Sequence, residues 1–235
     1  MNAIEFKQLI LNAKYYTKYE PILYKDTLDI YGYEALSKFD INNDIISTEN
    51  IFKKLHNNNK LFFELEKRNK FLQIQNFTHN EKLFLNFDAD IFVTDEQKKY
   101  WEDFLLLNKK NLVVEITENG SDDETSAVIM KDFSDWLKQM NIESALDDFA
   151  QDGSMFSFHM MNNSKYIKID KSFIRQIRLN NSYKYYLDGV LKTIKLNNQY
   201  SIIEGIETKD DYDLIKQLDC DFVQGYYFDN LVTIV

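Results

Sequence analysis

Short apolar runs that end in a polar or charged residue recur along this chain. The sequence contains seven of them: Tyr31 to Glu34, Leu83 to Asn86, Leu112 to Glu115, Ser144 to Asp147 and Asp148, Tyr166 to Lys168, Ser201 to Glu204, and Phe222 to Gln224. A buried strand of an α/β barrel carries apolar side chains through the core, and catalytic residues of such barrels lie at the C-terminal ends of several strands. The repetition therefore predicts an α/β barrel whose polar strand ends form one shared site.

Acidic residues outnumber basic ones at these strand ends. One lysine, Lys168, stands against five carboxylates: Glu34, Glu115, Asp147, Asp148 and Glu204. A single acidic residue after a strand often simply faces water. Five of them cannot converge without a cation between them, because like charges at short range repel. The series therefore predicts a cation site at one end of the barrel.

Amphipathic stretches with helix start signals separate the predicted strands. Three pairs of residues have the spacing of an N-terminal cap: Thr94 with Gln97, Ser121 with Glu124, and Thr208 with Asp211. We predict further helices over four ranges: Ala3 to Tyr15, Thr48 to Asn57, Lys60 to Thr78, and Ser182 to Leu196. Strands that alternate with helices of this length are typical of βα units and a largely parallel sheet.

The first part of the chain departs from this rhythm. Tyr19 to Leu23 and Asp29 to Leu36 have the pattern of two adjacent strands, joined by a turn at Tyr24 to Leu28. We therefore predict an α/β fold of the modified TIM-type (β/α)8 barrel kind, with an irregular antiparallel strand near the N-terminus. Because the 235 residues include one proline, Pro21, and no Gly- or Ser-rich linker, we expect a single domain over residues 1–235.

Composition narrows the choice of partners and compartment. Hydrophobic residues make up 44% of the chain and aromatic residues 15%, which is enough for a large core. The net charge of −10 makes the surface repel polyanions, so extended nucleic acid is not expected as a partner.

The chain contains one cysteine, Cys220, so an internal disulfide is ruled out. No stretch has the pattern of a signal peptide or the ~20 apolar residues of a membrane span. We therefore expect a cytoplasmic protein without membrane contact.

The polar strand ends also carry seven short motifs. In chain order these are Glu34-Ala35-Leu36, Asn86, Glu115-Ile116-Thr117-Glu118, Asp147-Asp148-Phe149, Lys168-Ile169-Asp170, Glu204-Gly205-Ile206-Glu207 and Gln224-Gly225-Tyr226. In this order the chain resembles the EAL-domain family of cyclic di-GMP phosphodiesterases, over about residues 19–228, with residues 1–18 expected as an N-terminal helix. One such triplet has no weight alone, but the ordered set is specific. The resemblance implies metal-dependent hydrolysis of cyclic di-GMP to linear pGpG, which lowers a bacterial second messenger.

The resemblance implies a centre with two divalent cations. Glu34, Asn86, Glu115 and Asp147 match the family positions that hold one ion, and Asp147 with Asp148 those that hold the second. Their oxygen donors suit Mg²⁺ or Mn²⁺ better than zinc. Two further residues match positions beside the attacking water: Lys168, which would orient it, and Glu204, which would act as a ligand or proton acceptor. Together with Glu34, these two are the expected catalytic residues.

Substrate contacts are also implied by the resemblance. The matching positions are Glu20, Pro21, Leu36, Lys38 and Gln224. Glu20 places a carboxylate where the family has an amide, and Lys38 replaces an arginine. A lysine keeps the positive charge but loses the planar two-pronged donor, so we expect weaker binding.

The loop after the paired aspartates departs furthest from the family. Ala150 stands at the first residue of this loop, which runs to Met155, where the family has a glycine, and an alanine disfavours positive φ. We therefore expect the loop to take another path. Glu118 matches the glutamate that anchors this loop, whereas Glu207 and Asp170 either support the metal ligands from behind or have structural roles.

Two other functions are compatible with the same sequence. The altered loop, Glu20 and Lys38 favour a catalytically inactive receptor for cyclic di-GMP or a protein-interaction module. A barrel hydrolase for another phosphodiester would need the same metals in a different pocket. Dimerisation is common in the family, so a homodimer is compatible with the resemblance, although nothing in the sequence identifies an interface.

Overall fold

Ten strands join in one sheet in the computed structural model, which describes residues 13–41, 44–46, 48–55, 58–117, 124–151 and 157–235. The strands are β1 (Lys14–Tyr24), β2 (Ile30–Ile41), β3 (Asp44–Ile46), β4 (Lys82–Phe87), β5 (Leu112–Thr117), β6 (Glu143–Phe149), β7 (Tyr166–Ile169), β8 (Tyr200–Ile203), β9 (Phe222–Val223) and β10 (Thr233–Ile234). Their pairing follows chain order from β4 to β9.

The sheet closes into a barrel through its first strand. β1 pairs in antiparallel fashion with both β2 and β9, whereas β2 and β4 to β9 pair in parallel with one another. The closed ring therefore has eight strands, and β3 and β10 pair outside it with β2 and β1. This arrangement confirms the predicted irregular barrel with an antiparallel strand near the N-terminus.

Helices alternate with the strands. They are α1 (Thr48–Leu55), α2 (Asn59–Gln75), α3 (Asp95–Asn108), α4 (Glu124–Gln139), α5 (Phe158–Asn163), α6 (Ser172–Leu179), α7 (Tyr183–Leu196) and α8 (Lys209–Ile215), with 3-10 turns at Ala89–Ile91 and Tyr226–Leu231. The predicted capping box at Thr94 and the predicted helix start at Thr208 are confirmed, and Thr208 also forms a capping box with Asp211. Ser121 lies outside the described residues. No helix within the described ranges combines the length and apolar character that a membrane crossing requires.

The prediction of an N-terminal helix is wrong for residues 14–18, the part of it that forms a described element. Residues 14–18 begin β1, and their register places Lys14 opposite Asp40 and Lys18 opposite Leu36. The long hairpin with β2 satisfies the backbone hydrogen bonds of this segment, so extended structure replaces the helix. Residues 1–12 of the prediction lie outside the described part of the chain.

An apolar plug fills the barrel interior. It consists of Ile22, Phe84, Val113, Ala145, Tyr166, Ile202 and Phe222, all of them buried. Tyr31 closes the plug from below: its ring stacks on Phe222 with a centroid distance of 4.0 Å, and its hydroxyl lies 2.5 Å from that of Tyr166. A barrel of eight strands is just wide enough for side chains to fill it, so this end offers no channel.

Candidate functional site

A polar layer lies directly above the apolar plug. Side chains alternate along a strand, so the residue two positions beyond each plug residue also points into the barrel. The plug residues of β4 to β9 are followed at that spacing by Asn86, Glu115, Asp147, Lys168, Glu204 and Gln224. β1 runs in the opposite direction, so its polar residue, Glu20, precedes the plug residue Ile22. The polar layer of the predicted site thus follows from strand geometry.

Glu34 reaches the same layer from within a strand. The sequence pattern placed it at a strand end, but β2 continues to Ile41 because the hairpin with β1 keeps pairing beyond it. Its carboxylate accepts hydrogen bonds from Asn86 Nδ2 at 2.8 Å and Gln224 Nε2 at 2.7 Å. Side chains from β4 and from just beyond β9 therefore hold the carboxylate of Glu34 on β2.

Lys168 lies at the centre of the acidic cluster. Its Nζ is surrounded by four carboxylate oxygens, from Glu115 at 2.8 Å, Glu204 at 2.9 Å, Asp147 at 3.0 Å and Glu34 at 3.2 Å. The side chain is 1% exposed. Burial disfavours the ammonium, but the charges of Asp147 and its neighbours outweigh this and hold the pKa of Lys168 well above its ordinary value. Lys168 is therefore a buried cation.

One ammonium does not balance these carboxylates. Burial, the charge of Glu34 and that of Asp147 raise the pKa of Glu115 well above its ordinary value, despite the opposing charge of Lys168. Burial also raises the pKa of Glu204 strongly and, together with the charge of Asp147, raises that of Asp148 to about 7. For Glu34, burial opposes ionisation, yet the Lys168 charge and the hydrogen bonds lower the pKa. The cluster as a whole favours an added positive charge.

Oxygen atoms of the cluster have the spacing that a hard cation needs. Asp147, Asp148 and Glu204 each place a carboxylate oxygen within 4.8 Å of the others. Glu115 Oε2 and Gln224 Oε1 are buried and accept no hydrogen bond from the described residues. A buried acceptor without a partner carries a desolvation cost that a cation or its water would remove. The residues present therefore fit a divalent metal such as Mg²⁺ or Mn²⁺.

A pocket of about 300 Å³ opens onto this cluster. Glu20, Leu36 and Gln224, three of the five residues expected to contact the substrate, line it. Pro21 is buried opposite Tyr33 in the hairpin, and neither it nor Lys38 is among the lining residues. The structure therefore brings only part of the predicted substrate set to the pocket wall.

The residues expected to support the metal ligands, Asp170 and Glu207, lie in different surroundings. Asp170 is 6% exposed and accepts hydrogen bonds from the backbone N–H of Ser172 at 2.8 Å and from the Ser172 hydroxyl, so it caps the start of α6. Glu207 is exposed at the pocket wall, and its backbone N–H donates to Asp211. Glu118, the predicted loop anchor, lies outside the described residues.

Two residues at the junction between β6 and the loop that follows it have a left-handed backbone conformation. Asp148 has φ 56° and Ala150 has φ 63°. The expectation that an alanine would avoid positive φ is therefore wrong at Ala150. Residues 152–155 of the loop lie outside the described part of the chain. A non-glycine residue in this region is strained by about 1–2 kcal/mol.

Replacing Ala150 by glycine should therefore stabilise the fold. We expect Ala150→Gly to raise Tm by about 2–4 °C, the shift for about 1 kcal/mol in a domain of this size. Ala127→Gly, at an exposed position inside α4, is the matched control and should lower Tm, because glycine is unfavourable within a helix. Thermal unfolding of both variants measures the effect, and an Ala150→Gly variant that unfolds at or below the wild-type Tm contradicts it.

Gly225 follows Gln224 at the pocket wall and lies close to the backbone of Ile206. Its φ is 150°, and a Cβ there would lie 2.4 Å from both the N and the O atom of Ile206. Gly225→Ala should therefore destabilise the protein by about 1–3 kcal/mol, as overpacking does. Gly189→Ala is the control, because nothing lies within 4 Å of the added Cβ in α7. Urea unfolding should separate the two variants, and equal midpoints would show that the backbone yields.

Lys171 lines the pocket, although the sequence did not single it out. It directly follows the motif Lys168-Ile169-Asp170, so proximity to a strand end was the available signal. Tyr226, the last residue of the motif Gln224-Gly225-Tyr226, also lines the pocket, although no role was assigned to it.

The sequence is similar to a known protein family and to characterised members of it. The EAL domain family matches residues 4–230. The cyclic di-GMP phosphodiesterase TpdA of Vibrio parahaemolyticus is 25% identical over 218 residues, which cover 92% of the chain and 37% of TpdA. The chain thus spans well under half the length of this relative.

Solved structures share the fold. An EAL domain protein from Listeria monocytogenes has a TM-score of 0.77 at 18% identity, covering 97% of this chain and 92% of that one. The Bacillus subtilis YkuI protein, in complex with cyclic di-GMP and calcium, has a TM-score of 0.75 at 18% identity, covering 97% of this chain and 57% of YkuI. With the family match over nearly the whole chain, these findings show that the chain belongs to the EAL domain family.

Proposed function

We propose that this chain hydrolyses cyclic di-GMP to linear pGpG in a reaction that depends on divalent cations. The observation that carries the proposal is the acidic layer itself, in which four carboxylates surround Lys168 and Asp148 joins Asp147 and Glu204 in a cation-sized group. An inactive relative would have no need to keep so many buried acids, because each is costly to bury without a cation. TpdA, named as a cyclic di-GMP phosphodiesterase, supports the same reaction class.

Two groups of residues would hold the cations. Glu34, Asn86, Glu115 and Asp147 would bind one, and Asp147 with Asp148 a second, with Glu204 completing the site. Their oxygen atoms suit Mg²⁺ or Mn²⁺. Such cations, when bound, lower the pKa of a water and stabilise negative charge on a phosphodiester.

Lys168 and Glu204 would position the groups that take part in the reaction. Lys168 ties together carboxylates from four strands, so the ligands keep their geometry as charge changes during the reaction. Glu204, at the pocket wall beside Lys168, would accept the proton of the attacking water or complete the cation site as a ligand. The water oxygen bonds to phosphorus, the bond from phosphorus to the 3′ oxygen breaks, and a proton passes to that 3′ oxygen. The product is a linear dinucleotide with a 5′ phosphate.

Substrate recognition would use the pocket wall. Glu20 presents a carboxylate, an acceptor that suits the N–H groups on the edge of a guanine base. Leu36 offers an apolar surface, and Gln224 acts mainly by holding Glu34. Pro21 and Lys38 would influence binding through the hairpin.

A receptor that binds cyclic di-GMP without hydrolysing it is the second candidate. The observation that favours it is Lys38, which replaces an arginine and does not line the pocket. Weak binding with intact metal ligands would still allow turnover, so the acidic layer favours the enzyme over the receptor. A homodimer remains compatible with either function.

Product analysis separates these functions. We expect the purified protein, with Mn²⁺ or Mg²⁺, to convert cyclic di-GMP to pGpG and to leave linear pGpG and cyclic di-AMP largely unchanged when products are separated by chromatography. Binding of cyclic di-GMP without product would favour the receptor. Preferential cleavage of another phosphodiester would assign a different hydrolase activity.

A further inference from the structure

Seven carboxylates and two lysines line the pocket in the described part of the chain. The carboxylates are Glu20, Glu34, Asp147, Asp148, Asp170, Glu204 and Glu207, and the lysines are Lys168 and Lys171. A cyclic dinucleotide carries one negative charge on each of its two phosphodiesters. An anion entering this pocket therefore needs positive charge beyond what one or two cations at the acidic layer supply to the scissile phosphodiester.

Lys168 does not meet that need. An ammonium has three N–H donors, and four carboxylate oxygens within 3.2 Å compete for those of Lys168. At 1% exposure it has no surface left for a ligand. Lys18, near Glu20, is likewise occupied, because its Nζ lies 3.1 Å from Glu20 and 3.6 Å from Asp229.

Lys171 differs from both of these lysines. It is exposed, lies at the start of α6 beside Asp170, and its ammonium makes no ion pair or hydrogen bond with the described residues. None of the acidic residues that line the pocket in this part of the chain forms an ion pair with this ammonium. Its charge is therefore available to a ligand.

The stem of Lys171 is held by the neighbouring loop. Gly205 has φ 70°, and a Cβ on it would lie 2.2 Å from Lys171 Cβ and 3.4 Å from Lys171 Cδ. The methylene groups thus run along the bare backbone of the residue that follows Glu204. A side chain fixed at its base loses less entropy on binding than a free surface lysine.

We propose that Lys171 binds a phosphate oxygen of the cyclic dinucleotide and so supplies the substrate contact that Lys38 does not make. This inference rests on the proposed function. Lys171 is a substrate-binding residue in this account, and it contacts ground state and transition state alike. Its loss should therefore raise KM and leave kcat nearly unchanged.

Two variants of Lys171 and one control test the assignment. Lys171→Met keeps the stem against Gly205 and removes the charge, whereas Lys171→Arg keeps a charge. Lys195→Met is the control, since Lys195 is exposed, pairs with Asp219 at 2.6 Å and does not line the pocket. The measurements are the Kd of labelled cyclic di-GMP with Ca²⁺, the ion in the YkuI complex, and KM and kcat with Mg²⁺.

We expect Lys171→Met to raise both Kd and KM about tenfold, the loss of one charge-assisted hydrogen bond. Lys171→Arg and Lys195→Met should stay close to the wild type, and the wild-type Kd should weaken with added salt more than that of Lys171→Met. An unchanged Kd and KM in Lys171→Met, beside an active wild type, would overturn the role of Lys171 alone. A wild type that neither binds nor hydrolyses cyclic di-GMP would overturn the proposed function, and this inference with it.

Discussion

Replacing Glu34 with alanine is expected to abolish hydrolysis of cyclic di-GMP. The carboxylate is a proposed cation ligand and the acceptor for Asn86, Gln224 and Lys168, so the change removes a ligand and frees three donors. A bound cation stabilises the transition state by several kcal/mol, so we expect kcat to fall by at least about 10³-fold. Initial rates of pGpG formation at saturating Mg²⁺ measure the effect.

Two further variants show whether this loss is specific. Glu34→Gln keeps the volume of the side chain and should be as inactive as the alanine variant, because an amide is a poorer ligand for a hard cation. Glu64→Ala, on the exposed face of α2 where Glu64 pairs with Lys67 at 2.7 Å, should retain full activity. Full turnover by a folded Glu34→Ala protein would contradict the assignment of Glu34.

Replacing Lys168 with methionine should make folding depend on divalent cations. The change removes a buried ammonium and leaves four carboxylates facing one another. Breaking a buried ion pair costs about 3–5 kcal/mol, so in the presence of chelator the variant should unfold at a markedly lower temperature than the wild type. Added Mn²⁺ should recover much of this loss, because a cation that binds only the folded state stabilises it. Thermal unfolding with chelator and with Mn²⁺ gives the comparison.

Lys70 offers the matched control for this effect. It is also buried, but it pairs with one carboxylate, Glu66, at 2.7 Å. Lys70→Met should lower the unfolding temperature by a similar amount. Mn²⁺ should not restore it, because one carboxylate does not make a cation site. Equal stability of Lys168→Met and wild type in chelator, or equal Mn²⁺ responses of the two methionine variants, would contradict the account.

The parallel part of the barrel was predictable because one rule governs it. Phe84 and Asn86, or Tyr166 and Lys168, differ by two positions and so point into the same interior, one in the plug and one in the polar layer. Once the strands are recognised, the site follows from their pairing. The carboxylates and Lys168 were therefore brought together as the sequence predicted.

Residues outside that rule were harder to predict. Glu34 lies within a strand, because the hairpin between β1 and β2 extends beyond the barrel layer. α6 begins where the side chain of Asp170 caps it, and this start signal lies inside a motif that was interpreted as part of the site. Lys171 has the exposure of an ordinary surface lysine, and its position at the pocket wall and its contact with Gly205 distinguish it. These features depend on contacts between distant segments, which local patterns do not encode.

A metal titration tests directly whether hydrolysis of cyclic di-GMP depends on cations bound at the acidic layer. Protein freed of metal with chelator is supplied with increasing Mn²⁺, and pGpG formed from cyclic di-GMP is measured at each concentration, with Glu34→Ala in parallel. We expect no turnover without metal, a saturable rise in turnover with Mn²⁺ in the wild type and no rise in the variant. Full turnover in chelator, or bound cyclic di-GMP that yields no pGpG at saturating Mn²⁺ and Mg²⁺, would contradict this expectation.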